Sequence, residues 1–70
     1  MEDRYEVEVR DLNGKRTRIE GTGYEIIEAL AEGGTLCDDE VMWVAMNGQI
    51  IWCELGNEPI TAEDIVGFVG

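Results

Sequence analysis

The chain is 70 residues long, with 44% hydrophobic residues, sixteen Asp and Glu against five Lys and Arg, and a net charge of −11. That length holds one small domain over residues 1–70, the hydrophobic share is too high for a disordered acidic chain, and no apolar run reaches the ~18 residues of a membrane span. With neither His nor Ser, a Ser-His triad and a Cys-His dyad are both excluded, so binding without catalysis and without a cofactor is expected.

The charge is unevenly distributed. Arg4, Arg10, Lys15, Arg16 and Arg18 all precede Ile19, where five acids balance them; from Ile19 onward there are eleven acids and no Lys, Arg or His. Cys37 and Cys53 form no CxxC pair and lack the His that would complete a zinc set. They read as reduced thiols, with a disulfide as the alternative. The opening MEDRYEVEV has no signal-peptide pattern, so a cytoplasmic location is expected, that of the host cell if the protein is phage-encoded.

In chain order, YEVEVR (Tyr5 to Arg10) and KRTRIE (Lys15 to Glu20) alternate apolar with charged residues, the period of half-buried strands. Facing decides the loop between them. A two-residue Asn13-Gly14 turn sets Val9 opposite Arg18 and mixes the faces. A three-residue loop, Leu12-Asn13-Gly14, sets Val9 opposite Thr17, Val7 opposite Ile19 and Glu8 opposite Arg18, a favourable cross-strand pair. The longer loop is therefore expected, with Gly14 in the left-handed position of a G1 bulge.

A helix follows from about Thr22 to Glu32. Thr22 and Glu25 make a capping box, and Gly33-Gly34 a stop. Tyr24, Ile27, Leu30 and Ala31 share the face expected to be buried, with Ile26 at its edge. Glu25, Glu28 and Glu32 form an acidic stripe at i, i+3 and i+7. GGTLCDDE reads as a loop. Its Asp38-Asp39-Glu40 run lacks the alternating spacing and glycine of a calcium loop, so no metal site is expected.

VMWVAMNGQIIWCEL is a hairpin around a type I′ Asn47-Gly48 turn. Regular pairing sets Trp43 opposite Trp52, Val44 opposite Ile51 and Met42 opposite Cys53. One face then holds Trp43, Ala45, Ile50 and Trp52, and the other Met42, Val44, Met46, Ile51 and Cys53. A helix covers one face; the other meets a second helix, a partner (a homodimer through this hairpin among them) or water. In the tail, Thr61 with Asp64 and Ile60 with Ile65 favour a short helix, while the β-branched IVGFV favours a fifth strand. The expected class is α+β: an antiparallel sheet of two hairpins packed on one helix, ββαββ, closed by that helix or strand.

Three readings fit the acidity. Solubility needs a charge magnitude of only about 2–8 in a small domain. High-salt growth is the second, because at 1 M salt the screening length falls to about 3 Å. The third is imitation of nucleic acid: duplex DNA carries about one negative charge per 1.7 Å, met by arrays of Lys and Arg. Carboxylates one helical turn apart lie roughly 5–6 Å from each other, similar to successive phosphates. Glu25, Glu28, Glu32, Asp38, Asp39, Glu40, Glu54, Glu58, Glu63 and Asp64 would make such a surface, with the cations segregated away from it. Mimicry is the reading that this segregation favours.

In size, charge and lack of catalytic residues the chain resembles the small acidic inhibitors that phages direct against host nucleic-acid machinery, anti-CRISPR proteins among them. That resemblance implies a stoichiometric blocker on the basic DNA- or RNA-binding surface of a CRISPR effector subunit, touching no nucleic acid and no membrane itself. A second resemblance is local. VRDLNGKRTRIE is similar to the opening hairpin of ubiquitin, GYEIIEALAEG follows where the grasped helix would be, and VMWVAMNGQII and DIVGFVG are similar to later strands of ThiS/MoaD-type sulfur carriers. It implies a β-grasp fold and a carrier, or a degenerate relative, recognised through its tail by an activating adenylyltransferase. Those carriers end in Gly-Gly, whereas the sequence here closes Phe68-Val69-Gly70.

Overall fold

The computed structural model describes residues 3–32 and 39–69. Strands β1 (Arg4–Arg10) and β2 (Arg16–Thr22) lead into helix α1 (Gly23–Glu32). Strands β3 (Glu40–Met46) and β4 (Gln49–Cys53) follow, and a 3-10 turn (Ala62–Ile65) runs into α2 (Val66–Val69). The result is an α+β domain: a four-stranded antiparallel sheet in the order β2-β1-β3-β4, with the helical elements against one face.

The first hairpin closes through the three-residue loop. Val7 lies opposite Ile19, Val9 opposite Thr17 and Glu8 opposite Arg18. The Asp11 N–H donates to the Lys15 carbonyl at 2.9 Å, the Gly14 N–H to the Asp11 carbonyl at 3.0 Å, and Gly14 has φ +86°. The positive φ is why glycine stands there. The Asp11 carboxylate accepts from the Asn13 and Lys15 N–H groups, both at 2.9 Å, which satisfies the turn's backbone donors.

The second hairpin departs from regular pairing. Asn47 (φ 52°) and Gly48 (φ 85°) make the expected turn. Ala45 lies opposite Ile50, but Val44 then lies opposite Trp52 and Trp43 opposite Cys53, so Ile51 is an extra residue in β4. A second irregularity leaves Met42 unpaired between Val41 and Trp43 as β3 runs along β1. Each inserted residue reverses the alternation of faces. Val41, Val44, Met46 and Trp52 therefore share the helical side, while Trp43, Ala45, Ile50 and Cys53 share the open side. The two tryptophans are not cross-strand partners. Trp52 packs on the core and against Phe68, ring centroids 6.3 Å apart, and Trp43 lies on the opposite face.

The core joins Val7 and Val9 of β1, Val41 and Val44 of β3, and Ile26 and Leu30 of α1 to Ala62, Ile65 and Val69 of the tail. The helix is thus rotated from the expected face: Gly23, Ile26 and Leu30 are buried, whereas Ala31 is exposed and Tyr24 is 75% exposed. The cause is a close approach at Gly23. A Cβ there would lie 1.9 Å from the Val69 carbonyl oxygen, so only glycine lets α2 dock against the start of α1. The docked tail is helical, with Ile65 in the core, half-buried Ile60 packed against it, and the Thr61 N–H donating to Asp64 Oδ2 at 3.1 Å. The Gly33-Gly34 stop lies outside the described residues.

Candidate binding surfaces

The two faces of the sheet differ electrically. Antiparallel register arranges the open face in rows running from β2 to β4: Arg18, Glu8, Trp43, Cys53; then Glu20, Glu6, Ala45, Ile50; with Arg16, Arg10 and Glu40 at the loop end. Three arginines here meet four carboxylates at cross-strand distances. The Arg10 guanidinium bonds Glu40 at 2.5 Å. Arg18 faces Glu8 but pairs with Glu6, because the Glu8 carboxylate accepts from Trp43 Nε1 at 2.6 Å. The same guanidinium lies 5.7 Å from the centre of the Trp43 ring, a cation–π contact. Arg18 also offsets the like charges of Glu6 and Glu20, which are directly opposite.

The helical elements themselves carry acids and no cations, since α1 and the tail contain no Lys, Arg or His. Glu25, Glu28 and Glu32 are exposed along α1, and Glu63 and Asp64 are exposed at the start of the 3-10 turn. The stripe begins with a structural carboxylate. Glu25 Oε1 accepts from the Thr22 N–H at 3.1 Å while the Glu25 N–H donates to Thr22 Oγ1 at 3.3 Å, the reciprocal capping box. These bonds, the backbone one first, together with the charge of Arg4, hold the Glu25 carboxyl below its ordinary value of 4.5. Asp64 likewise serves the first turn of its own element through Thr61.

The remaining acids expected on the surface divide. Glu54 and Glu58 are exposed in the loop after β4, where Asn57 Nδ2 donates to the Cys53 carbonyl at 2.8 Å. Asp38 lies outside the described residues, as does Cys37. Asp39 is a correction: it is only 6% exposed, its carbonyl accepting the Ala62 N–H at 2.9 Å where the tail crosses the start of β3, so it does not belong to an outer surface. Glu40 is half-buried and neutralised by Arg10, which places it in the sheet-face network. Five of the ten residues thus lie together on the helical layer, and two more flank β4.

A hollow of about 430 Å³ on the open face escaped the sequence reading. Trp43, Met42, Ile50, Cys53 and Leu55 form its apolar part, with Arg16 at the β2 rim, Glu54 at the β4 rim and Glu8 beneath. Period-2 alternation signalled that the second hairpin had an apolar second face, but the insertions at Met42 and Ile51 decide which side chains lie there. Among the described residues no three His, Cys, Asp or Glu side chains converge as metal ligands. Cys53 is a free thiol whose S–H points to the Leu55 carbonyl at 3.8 Å. No described helix is long and apolar enough to cross a membrane. Comparison of the chain with protein-family models, with curated proteins and with solved structures finds no match.

Proposed function

We propose that this chain is a non-catalytic acidic binding protein whose helical layer occupies the basic nucleic-acid-binding surface of another protein. It would be a nucleic-acid mimic of the kind that phages direct against the DNA-binding groove of a CRISPR effector complex. We class its arrangement as two hairpins packed on one helix, ββαββ with a helical tail. The observation that supports the reading is the division of charge by layer. Every cation of the chain precedes α1, while Glu25, Glu28, Glu32, Glu63 and Asp64 are exposed together on the helical side. General solubility needs no such division. Exposed Tyr24, at the start of the same helix, adds an aromatic of the type that anchors interfaces.

The test is competition. The purified protein is mixed with a crRNA-guided effector complex and labelled target duplex at low and moderate salt. Blocking that weakens as salt is added is expected, because opposed charge arrays are screened over about 10 Å at 0.1 M. Changing Glu25, Glu28 and Glu32 together to Gln should weaken blocking roughly five- to a hundredfold with the fold intact, since three exposed ion pairs are lost and Gln still serves as the capping acceptor at position 25. Blocking that ignores both salt and the triple change would defeat the surface assignment. Absence of blocking across CRISPR subtypes would remove that class of target.

A further inference from the structure

The open face of the sheet remains to be covered. The 430 Å³ hollow has a wall of Trp43 and Ile50, with Leu55 81% and Ile50 56% exposed, and both helical elements pack on the other side. We infer that this face is the interface of a homodimer, two copies meeting sheet to sheet about a two-fold axis that runs parallel to the strands.

Charge selects the second copy as occupant. A chain of net charge −11 repels its like over the all-acidic helical layer, but on the open sheet face Arg10 and Arg18 are offset by Glu40 and Glu6. None of the three charged groups lining the hollow has an ion pair among the described residues; the Glu8 carboxylate accepts from Trp43 Nε1, which leaves the two rim groups, Arg16 on the β2 side and Glu54 on the β4 side. They stand at similar heights along the strands. Arg16 is level with Arg10 and Glu40, and the Glu54 N–H donates to the Met42 carbonyl, two residues on from Glu40. A two-fold axis along the strands, lying in the interface plane, exchanges the β2 and β4 rims. Each Arg16 then faces the other copy's Glu54, twice per dimer, and apolar patch meets apolar patch as an isologous contact requires. Sheets pack about 10 Å apart and a helix adds about 10 Å on each outer side, so the two acidic layers lie roughly 30 Å apart, well beyond the ~8 Å screening length of physiological salt. The arrangement leaves both helical layers outward, and it stands whether or not they bind a basic partner.

Sedimentation equilibrium under reductant, with loading from micromolar to millimolar, tests it. The expected mass is twice the 7.8 kDa of one chain. Ile50→Glu, at an exposed position, should give a monomer with an unchanged circular dichroism spectrum. Arg16→Glu should weaken the dimer at least tenfold. Glu54→Arg alone should also weaken it although it lowers the net charge, and the two together should restore it. A wild-type chain that stays at single-chain mass overturns the proposal. So does a dimer indifferent to Ile50→Glu, or one that the double exchange does not rescue.

Discussion

Gly23→Ala is the most telling single substitution, because one methyl group is added where two backbones meet. Its Cβ would stand 1.9 Å from the Val69 carbonyl oxygen and 3.0 Å from the Val69 carbonyl carbon, with ordinary contact beginning at 3.4 Å. Backbone atoms cannot swing aside as a side-chain tip would, so α2 must retreat by about 1.5 Å from α1 and partly uncover Val69 and Ile65. Overpacking of this kind costs about 1–3 kcal/mol, and partial exposure of a buried aliphatic side chain adds about 1 kcal/mol. Alanine's helix propensity returns up to ~1 kcal/mol, less at a first helical position. The net loss is about 2 kcal/mol, which lowers Tm by roughly 8–16 °C in a domain of this size. Urea unfolding followed by circular dichroism reads it directly. Gly67→Ala is the control: nothing lies within 4 Å of its Cβ, so the same change in α2 should be neutral or stabilise by up to ~1 kcal/mol. A Gly23→Ala protein as stable as the wild type would refute the close docking of the two helices.

Two further outcomes follow from the capping box and the Trp43 hydrogen bond. The Glu25 carboxyl should titrate below 4.5 by NMR, and Thr22→Ala should move its midpoint up toward that value by removing the hydroxyl. Because the folded-state value is depressed, the stabilisation tied to this carboxylate is present above about pH 4.5 and is lost as the pH falls through the lower folded value. Trp43→Phe keeps a ring beneath Arg18 but deletes the donor to Glu8; a loss of about 1 kcal/mol in urea is expected, and an unchanged midpoint would show that the bond adds nothing.

Local chemistry was readable where one residue type answers one backbone need. Gly14 and Asn47-Gly48 marked their turns, Thr22 with Glu25 marked a helix start, and the facing of Val7 and Val9 chose the right loop length for the first hairpin. Features that arise between elements were not readable. The extra residues Met42 and Ile51 shift the parity of a two-residue period, and nothing in EVMWVAM or QIIWC announces a bulge. The helix turned a different face inward because Gly23 meets a tail about 45 residues away, a contact that helical periodicity does not contain. Of the acidic surface, the stripe at Glu25, Glu28 and Glu32 was visible from spacing alone. The burial of Asp39 was not, since it depends on where the tail crosses β3.

The placement of charge by layer gives the molecule a direction as well as a sign. Its centre of negative charge is displaced toward the helices and its cations toward the sheet, so an external field exerts a torque on it as well as a pull. A positively charged body nearing from any side, within a screening length or so, rotates the domain until the helices lead. Fewer of the encounters that follow are wasted on the wrong face. The rate of productive collision then depends on the separation of the two charge centres as well as on the net charge of −11. Two variants of equal net charge, one of them with a lysine placed on α1, would therefore associate at different speeds.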